Sequence, residues 1–223
     1  MKNDWEYFLT FLWIGTVPVW STAIITEVPD FKDISNEILE LELPRNITEG
    51  YPYYLSGFDE EGLPIWVAEI GKWDSRKAAD GPPEGLRDFK LNLIQMFKRC
   101  LNKEKSQSKE ATHEFIMLFD LDGFNFYQVS SAAALKTYLW IARQAEQALT
   151  ENVKTVYMIN ANFVFKNLFT ILKPVLGRAA YKVELHGTNK NAWTGKLLKT
   201  IPKDQLSEKY GGSPTHKPVE VYG

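Results

Sequence analysis

The sequence predicts an α/β fold, a mixed and mostly parallel sheet flanked by helices. Apolar runs suited to strands alternate with helical runs as β-α-β-α-β between residues 113 and 187, which implies right-handed crossovers and parallel strands. The run Phe115-Ile116-Met117-Leu118-Phe119 is apolar without interruption, the pattern of a strand covered on both faces. The chain has 223 residues, 44% of them hydrophobic and 24% charged. That mix excludes disorder and is long enough for one large domain, or a core domain with a small extension.

Residues 1–50 read as a shortened helical lead-in interrupted at Pro18 and Pro29, followed by an acidic amphipathic stretch, Ile34–Pro44. Residues 1–22 also contain an apolar stretch with a small-residue exit, as an export signal does, but Asp4 and Glu6 oppose the positive start such signals carry. The Asn46-Ile47-Thr48 sequon has meaning only if the chain is exported. Phe58-Asp59-Glu60-Glu61-Gly62 reads as a tight turn with Gly62 at positive φ, and a strand begins at Pro64. Residues 81–85 (GPPEG) break the chain, and Pro82 or Pro83 starts a helix over about 84–103, with Leu86, Phe89, Leu93, Met96, Phe97 and Cys100 on one side. A solvated loop then leads to a strand over 113–123. Ser130 and Ser131 are cap candidates for an Ala-rich helix reaching about Leu149. Strands are expected over 154–161 and 181–187, with a helix between them ending before Gly177. A short helix, a Pro-led turn and a Gly-Gly stop close the core, and residues 213–223 form a tail.

The helix before Gly177 is unusually apolar. Lys166, Asn167, Thr170 and Lys173 form a compact polar stripe. Val164, Phe165, Leu168, Phe169, Ile171, Leu172, Val175 and Leu176 cover an arc of roughly 160°, wider than the ~100° a surface helix needs. Phe163 stands beside the polar stripe.

Several function classes are excluded or disfavoured. The single Cys100 rules out an internal disulfide framework and a Cys-based zinc site, and fits a reducing compartment. His113, His186 and His216 have no ligand spacing. No apolar run approaches the ~20 residues of a membrane span. Charge is uneven: residues 1–85 carry 16 acidic against 6 basic side chains, while residues 161–203 carry eight basic side chains against Glu184 alone. A basic surface of this kind suits anionic headgroups, and no nucleic-acid motif accompanies it. The Asp120-Leu121-Asp122-Gly123 strand end resembles the first motif of Mg²⁺-dependent phosphohydrolases. Yet Phe124 follows where a Thr is usual, the motif falls late in the chain, and no later acidic pair is available. A strand-end turn is the better reading. No catalytic residue, metal or cofactor is assigned.

Five segments carry a resemblance: residues 53–74, 119–124, 158–177, 182–187 and 197–212. Together, in order and spacing, they resemble the CRAL-TRIO lipid-binding family of phosphatidylinositol-transfer and tocopherol-transfer proteins. The resemblance covers residues 51–212 and implies a CRAL-TRIO fold: a sheet floor, an apolar cavity for one lipid-like molecule, and a lid helix that opens at a membrane. It implies a non-enzymatic carrier of a terpenoid, tocol, retinoid, carotenoid or phospholipid, cytoplasmic and transiently associated with anionic membranes. A phosphoinositide-responsive adaptor is the alternative, and a phosphohydrolase using Asp120 and Asp122 the remote one. The greasy helix matches the lid, which suits its wide arc, since both its closed and open states bury hydrocarbon. Pocket candidates are Met117, Phe119, Tyr138, Phe165, Phe169, Leu172 and Leu176. Headgroup or membrane candidates are Glu151, Phe163, Lys166, Lys173, Arg178 and Lys182. Glu151 and Lys182 match residues that bind phosphatidylinositol in relatives. Ala179 replaces a Thr, and Thr10, in residues 8–12, replaces an Arg, so two of four elements are missing. Pro174 marks a hinge at the end of the lid.

Overall fold

The computed structural model describes residues 28, 30–102, 106–108 and 114–223. The expectations for residues 1–27, including the export signal and the counterpart at Thr10, lie outside the described residues, as does His113.

Six strands form one sheet. In chain order they are β1 (Tyr53–Phe58), β2 (Pro64–Ala68), β3 (Phe115–Asp120), β4 (Val153–Ile159), β5 (Val183–Leu185) and β6 (Glu220–Tyr222). In space the order is β5-β4-β3-β2-β1-β6. From β2 to β5 every neighbouring pair is parallel, and β1 runs antiparallel to both β2 and β6. The sheet is therefore mixed and mostly parallel.

The β1–β2 hairpin is closed by the turn read from the sequence. Asp59 Oδ1 accepts from the backbone N–H groups of Glu61 and Leu63, both at 2.9 Å, and Gly62 takes φ 80°. A side chain at Gly62 would meet the backbone of Gln107 and Ser108 at 2.7 Å, so the turn tolerates only glycine. β1 itself and the edge strand β6 were not foreseen. β6 has only three residues and acquires strand geometry by pairing with β1 rather than by its own pattern.

The crossover helices follow their start signals. α1 (Arg45–Thr48) precedes β1, and α2 (Ser75–Asp80) follows β2 with Asp74 as its cap. α3 (Pro83–Cys100) begins with Pro83 in its first turn. α4 (Ala132–Leu149) is capped by Ser131, whose Oγ accepts from Ala134 N–H at 3.0 Å. α5 (Phe163–Leu176) is capped by Asn162, whose Oδ1 accepts from Phe165 N–H at 3.1 Å, and it stops at Gly177, φ 50°. The segment Gly177–Lys182 is a 3-10 turn, so β5 starts later than residue 181, and α6 (Lys190–Leu197) follows it.

The two sheet faces bury separate cores. On one, Trp66, Ala68, Met117, Phe119 and Val156 pack under α3, α4 and α5. On the other, Ile65, Val67, Ile116, Leu118, Tyr157 and Ile159 pack under Trp193, Leu197, Ile201, Leu206 and Tyr210. Every residue of β3 is buried, which is why its sequence does not alternate. Residues 30–41 strap across α3 and α4. Phe31 N–H donates to Gln144 Oε1 at 2.6 Å, and Gln95 Nε2 donates to the carbonyls of Ile38 and Leu41 at 2.9 and 2.7 Å.

Candidate functional site: an apolar cavity walled by α5

Between the sheet and the helices lies an apolar cavity of about 110 Å³. Its floor is Phe119, Val156, Met158 and Val183 from the strands. α3 contributes Leu93, Met96 and Phe97. α4 contributes Tyr138, Ile141, Ala142, Ala145 and Leu149, and α5 contributes Phe165, Phe169, Leu172 and Leu176. On each of these two helices the lining positions recur every three or four residues, so one stripe of each faces the space. Ile70, Trp73, Ser75, Phe124 and Ala179 complete the wall. Small side chains explain the space: Ala142, Ala145 and Ala179 stand where larger residues would fill a close-packed core.

Six of the seven pocket candidates lie on this wall: Phe119, Tyr138, Phe165, Phe169, Leu172 and Leu176. Met117 does not. It is buried on the same sheet face, but the cavity sits over β4 and the C-terminal end of β3, one side-chain repeat beyond it. Sequence reasoning passed over Ala142 and Ala145, because an alanine in a helix reads as propensity and not as a gap. It also passed over Trp73, which follows a 3-10 turn after β2, and Ser75, the first residue of α2.

Among the described residues, no charged side chain lines the cavity. Among the described lining residues, those with polar groups are Trp73, Ser75 and Tyr138. Trp73 Nε1 is buried without a hydrogen-bond partner. The Tyr138 hydroxyl lies beside Ser75, but at no well-formed hydrogen-bond geometry. Burial pushes the Tyr138 hydroxyl up to about 12, so it remains a donor at neutral pH.

The outer face of α5 differs. Phe163 is 79% exposed and Ile171 51% exposed. Lys166 and Lys173 are exposed, as are Arg178 and Glu151. Lys173, Pro174, Gly177, Arg178 and Tyr181 line one surface groove. Phe163, Phe126, Leu135 and Ile171 line another, apolar one. Asn167 and Thr170 hydrogen-bond back to the carbonyls of Phe163 and Lys166, keeping the polar stripe on its own helix. Lys182 is placed otherwise. Its Nζ donates to the Val153 carbonyl at 2.7 Å, so it ties the end of the 3-10 turn to β4 instead of standing out beside Arg178. It does not begin a strand.

Asp120 and Asp122 are not arranged for phosphoryl chemistry. Asp120 is 1% exposed. Its carboxylate accepts from Asn160 Nδ2 at 2.8 Å, Asp122 N–H at 3.0 Å and Tyr210 OH at 3.3 Å, and pairs with Lys209 Nζ at 2.6 Å. Burial works to raise its pKa, but the bonds from Asn160, Lys209 and Asp122 outweigh burial and hold the carboxyl below its usual range. Glu69 shares Lys209 at 2.9 Å. This network pins the C-terminal segment to the strand ends. Among the described residues, no three His, Cys, Asp or Glu side chains gather as a metal site does. Cys100 is buried, and burial pushes its thiol up, so it is unreactive at neutral pH.

The comparisons agree with this geometry. The Sec14 cytosolic factor of Schizosaccharomyces pombe is 25% identical over 175 residues, 75% of this chain and 58% of that protein. The SEC14 cytosolic factor of Candida glabrata is 26% identical over 172 residues, 74% of this chain and 54% of that one. The phosphatidylinositol/phosphatidylcholine transfer protein SFH4 of Arabidopsis thaliana is 24% identical over 228 residues, covering 96% of this chain and 36% of its own. The chain thus spans about half or less of these relatives' length. The crystal structure of Sfh5 superposes with a TM-score of 0.58 at 12% identity, over 82% of this chain and 62% of that one, which shows the shared fold. The sequence profile of the CRAL/TRIO domain matches residues 48–212, and the chain belongs to that family.

Proposed function

We propose that the protein is a non-enzymatic carrier that encloses one hydrophobic molecule and exchanges it at membranes through movement of α5. The apolar cavity carries this reading: about 110 Å³ of space whose described lining is uncharged, with a single helix as one side of it. Drug-sized ligands occupy pockets of ~300–1,000 Å³, so a lipid-sized cargo needs α5 to move outward. α5 suits that movement. Pro174 removes one helical hydrogen bond near its C-terminus, and Gly177 ends it, so the helix is weakest where it joins the next turn. Exposed Phe163 and Ile171, flanked by Lys166 and Lys173, suit transient contact with an anionic bilayer in the cytoplasm.

The Lys173–Arg178 groove favours a second reading, in which headgroup binding at the surface is the signal and cargo is not moved. Transfer between donor and acceptor vesicles separates them. A carrier moves lipid between vesicles in proportion to protein concentration. Binding to anionic vesicles without transfer would replace the carrier with the adaptor.

A further inference from the structure

We propose that His216 is a proton-operated clasp: with both ring nitrogens protonated it holds residues 213–222 against β1, and with one proton lost it lets that segment loosen and uncover the β1 edge.

The hydrogen atoms at this point can be counted. His216 Nε2 lies 3.1 Å from Ser56 Oγ on β1, and its Nδ1 lies 3.0 Å from the Asp204 carbonyl. Ser56 Oγ also lies 2.7 Å from the Gln205 carbonyl. Both carbonyls can only accept, so Nδ1 carries a proton and the one Ser56 hydroxyl hydrogen goes to Gln205. Ser56 Oγ is then an acceptor toward Nε2, and that third bond exists only when Nε2 is protonated as well. With a neutral ring the Ser56 hydroxyl donates either to Nε2 or to Gln205, and one of the three bonds is lost. A serine, a histidine and a carbonyl in this order resemble a nucleophile with its base, but Ser56 is 2% exposed, so no substrate reaches it.

The clasp fastens a segment with few other ties. Residues 213–223 lie beyond the residues that the family profile matches. β6 has three residues, and Val219 N–H donates to the Leu55 carbonyl at 2.8 Å. Tyr222 stacks on Tyr53 at 5.2 Å, with the Arg99 guanidinium 4.1 Å from its ring centre. Val219 and Val221 are more than half exposed, so apolar burial adds little there. One hydrogen bond is therefore a large share of what holds the segment. Its release frees the N–H and C=O groups along the edge of β1, a template for pairing with another strand.

The surrounding charges do not replace the His216 proton. β1 brings no charged side chain, and its Tyr53 and Tyr54 are kept neutral by burial. Asp59, just past β1, pairs with Lys154. On the 3-10 turn Lys203–Gln205, Asp204 Oδ2 accepts from Gln205 Nε2 at 3.0 Å, and Lys203 is exposed. Glu208 on the next turn and Lys217 beside His216 are exposed as well. None of these is a histidine, the side-chain type whose charge changes between about pH 5 and 8. Docking of the segment favours the charged ring, so it strengthens as pH falls.

The test is amide hydrogen exchange of the whole chain at about pH 5.5 and about pH 7.5, each rate divided by the intrinsic rate at that pH. The Val219 amide is expected to be about fivefold better protected at the lower pH, the worth of one net hydrogen bond, with Leu118 in β3 unchanged. His216→Gln and Ser56→Ala are each expected to abolish this step. His186→Gln, which alters the histidine 3.3 Å from Glu184 near the opposite sheet edge, is expected to keep it. Equal protection of Val219 at both pH values, better protection at the higher one, or a step that survives His216→Gln overturns the clasp. A step of equal size at Leu118 reports the stability of the whole fold and overturns it too.

Discussion

Filling the cavity from within discriminates a designed space from a loosely packed core. Ala145 projects from α4 into the cavity and is buried. Replacement by leucine adds three carbons there. At ~24 cal/mol per Å³, a cavity of about 110 Å³ costs the cargo-free protein on the order of 2.6 kcal/mol. Each carbon newly buried without strain contributes about 0.8 kcal/mol. A leucine that fills part of the space therefore stabilises the protein by roughly 1–2 kcal/mol. At ~2–4 °C per kcal/mol for a chain of this length, Tm rises by about 2–8 °C. The same side chain occupies volume that cargo needs, so transfer activity falls at least tenfold. Circular dichroism melts of protein stripped of lipid, with a vesicle transfer assay, read both effects. A fall in Tm would mean that α4 and α5 are already close-packed at Ala145, with overpacking costing ~1–3 kcal/mol. A rise in Tm with unchanged transfer would mean that the cavity is not the binding site.

Other perturbations test other parts of the account. Asp120→Asn removes one of the two carboxylates that pair with Lys209 and should cost about 1–3 kcal/mol in urea unfolding, whereas a structurally idle Asp120 would cost under ~0.5 kcal/mol. Because the carboxyls of Asp120 and Glu69 sit below their ordinary range, their contribution to stability is complete above the unfolded carboxylate values near pH 4 and is lost as pH falls through the folded ones; acid titration followed by near-UV circular dichroism should show loosening only below about pH 4. Lys173→Gln with Arg178→Gln should weaken binding to phosphatidylserine vesicles by about 2 kcal/mol, some 30-fold, in a salt-dependent manner. Lys182→Gln should leave vesicle affinity nearly unchanged and lower stability instead, because its ammonium is spent on the Val153 carbonyl. Phe163→Ser should leave stability within ~0.5 kcal/mol and slow transfer, and unchanged transfer would remove Phe163 from the membrane contact.

Much of the fold was legible because the signals were local. The continuous apolar run of β3, the cap at Ser131, Pro83 at a helix start and Gly62 in a turn each depend on a few neighbouring residues. β6 was not legible, since three residues become a strand only when β1 is beside them. The cavity was half legible. The four α5 residues and Phe119 were placed by period together with the resemblance that made this helix a lid. Where the cavity ends along β3, and hence that Met117 lies beyond it, depends on how helices stack on the sheet. A void is made by residues too small to meet, so Ala142 and Ala145 carried no signal in sequence. The same limit applies to Lys182, whose carbonyl partner is 29 residues away, on β4.

The carrier account is tested most directly by native mass spectrometry of the purified chain, followed by solvent extraction and identification of what is released. The account predicts one hydrophobic molecule per chain, released by solvent and lost from the Ala145→Leu variant. A chain that carries nothing after exposure to lipid extracts, or that binds the same lipids equally well with its cavity filled, would contradict it.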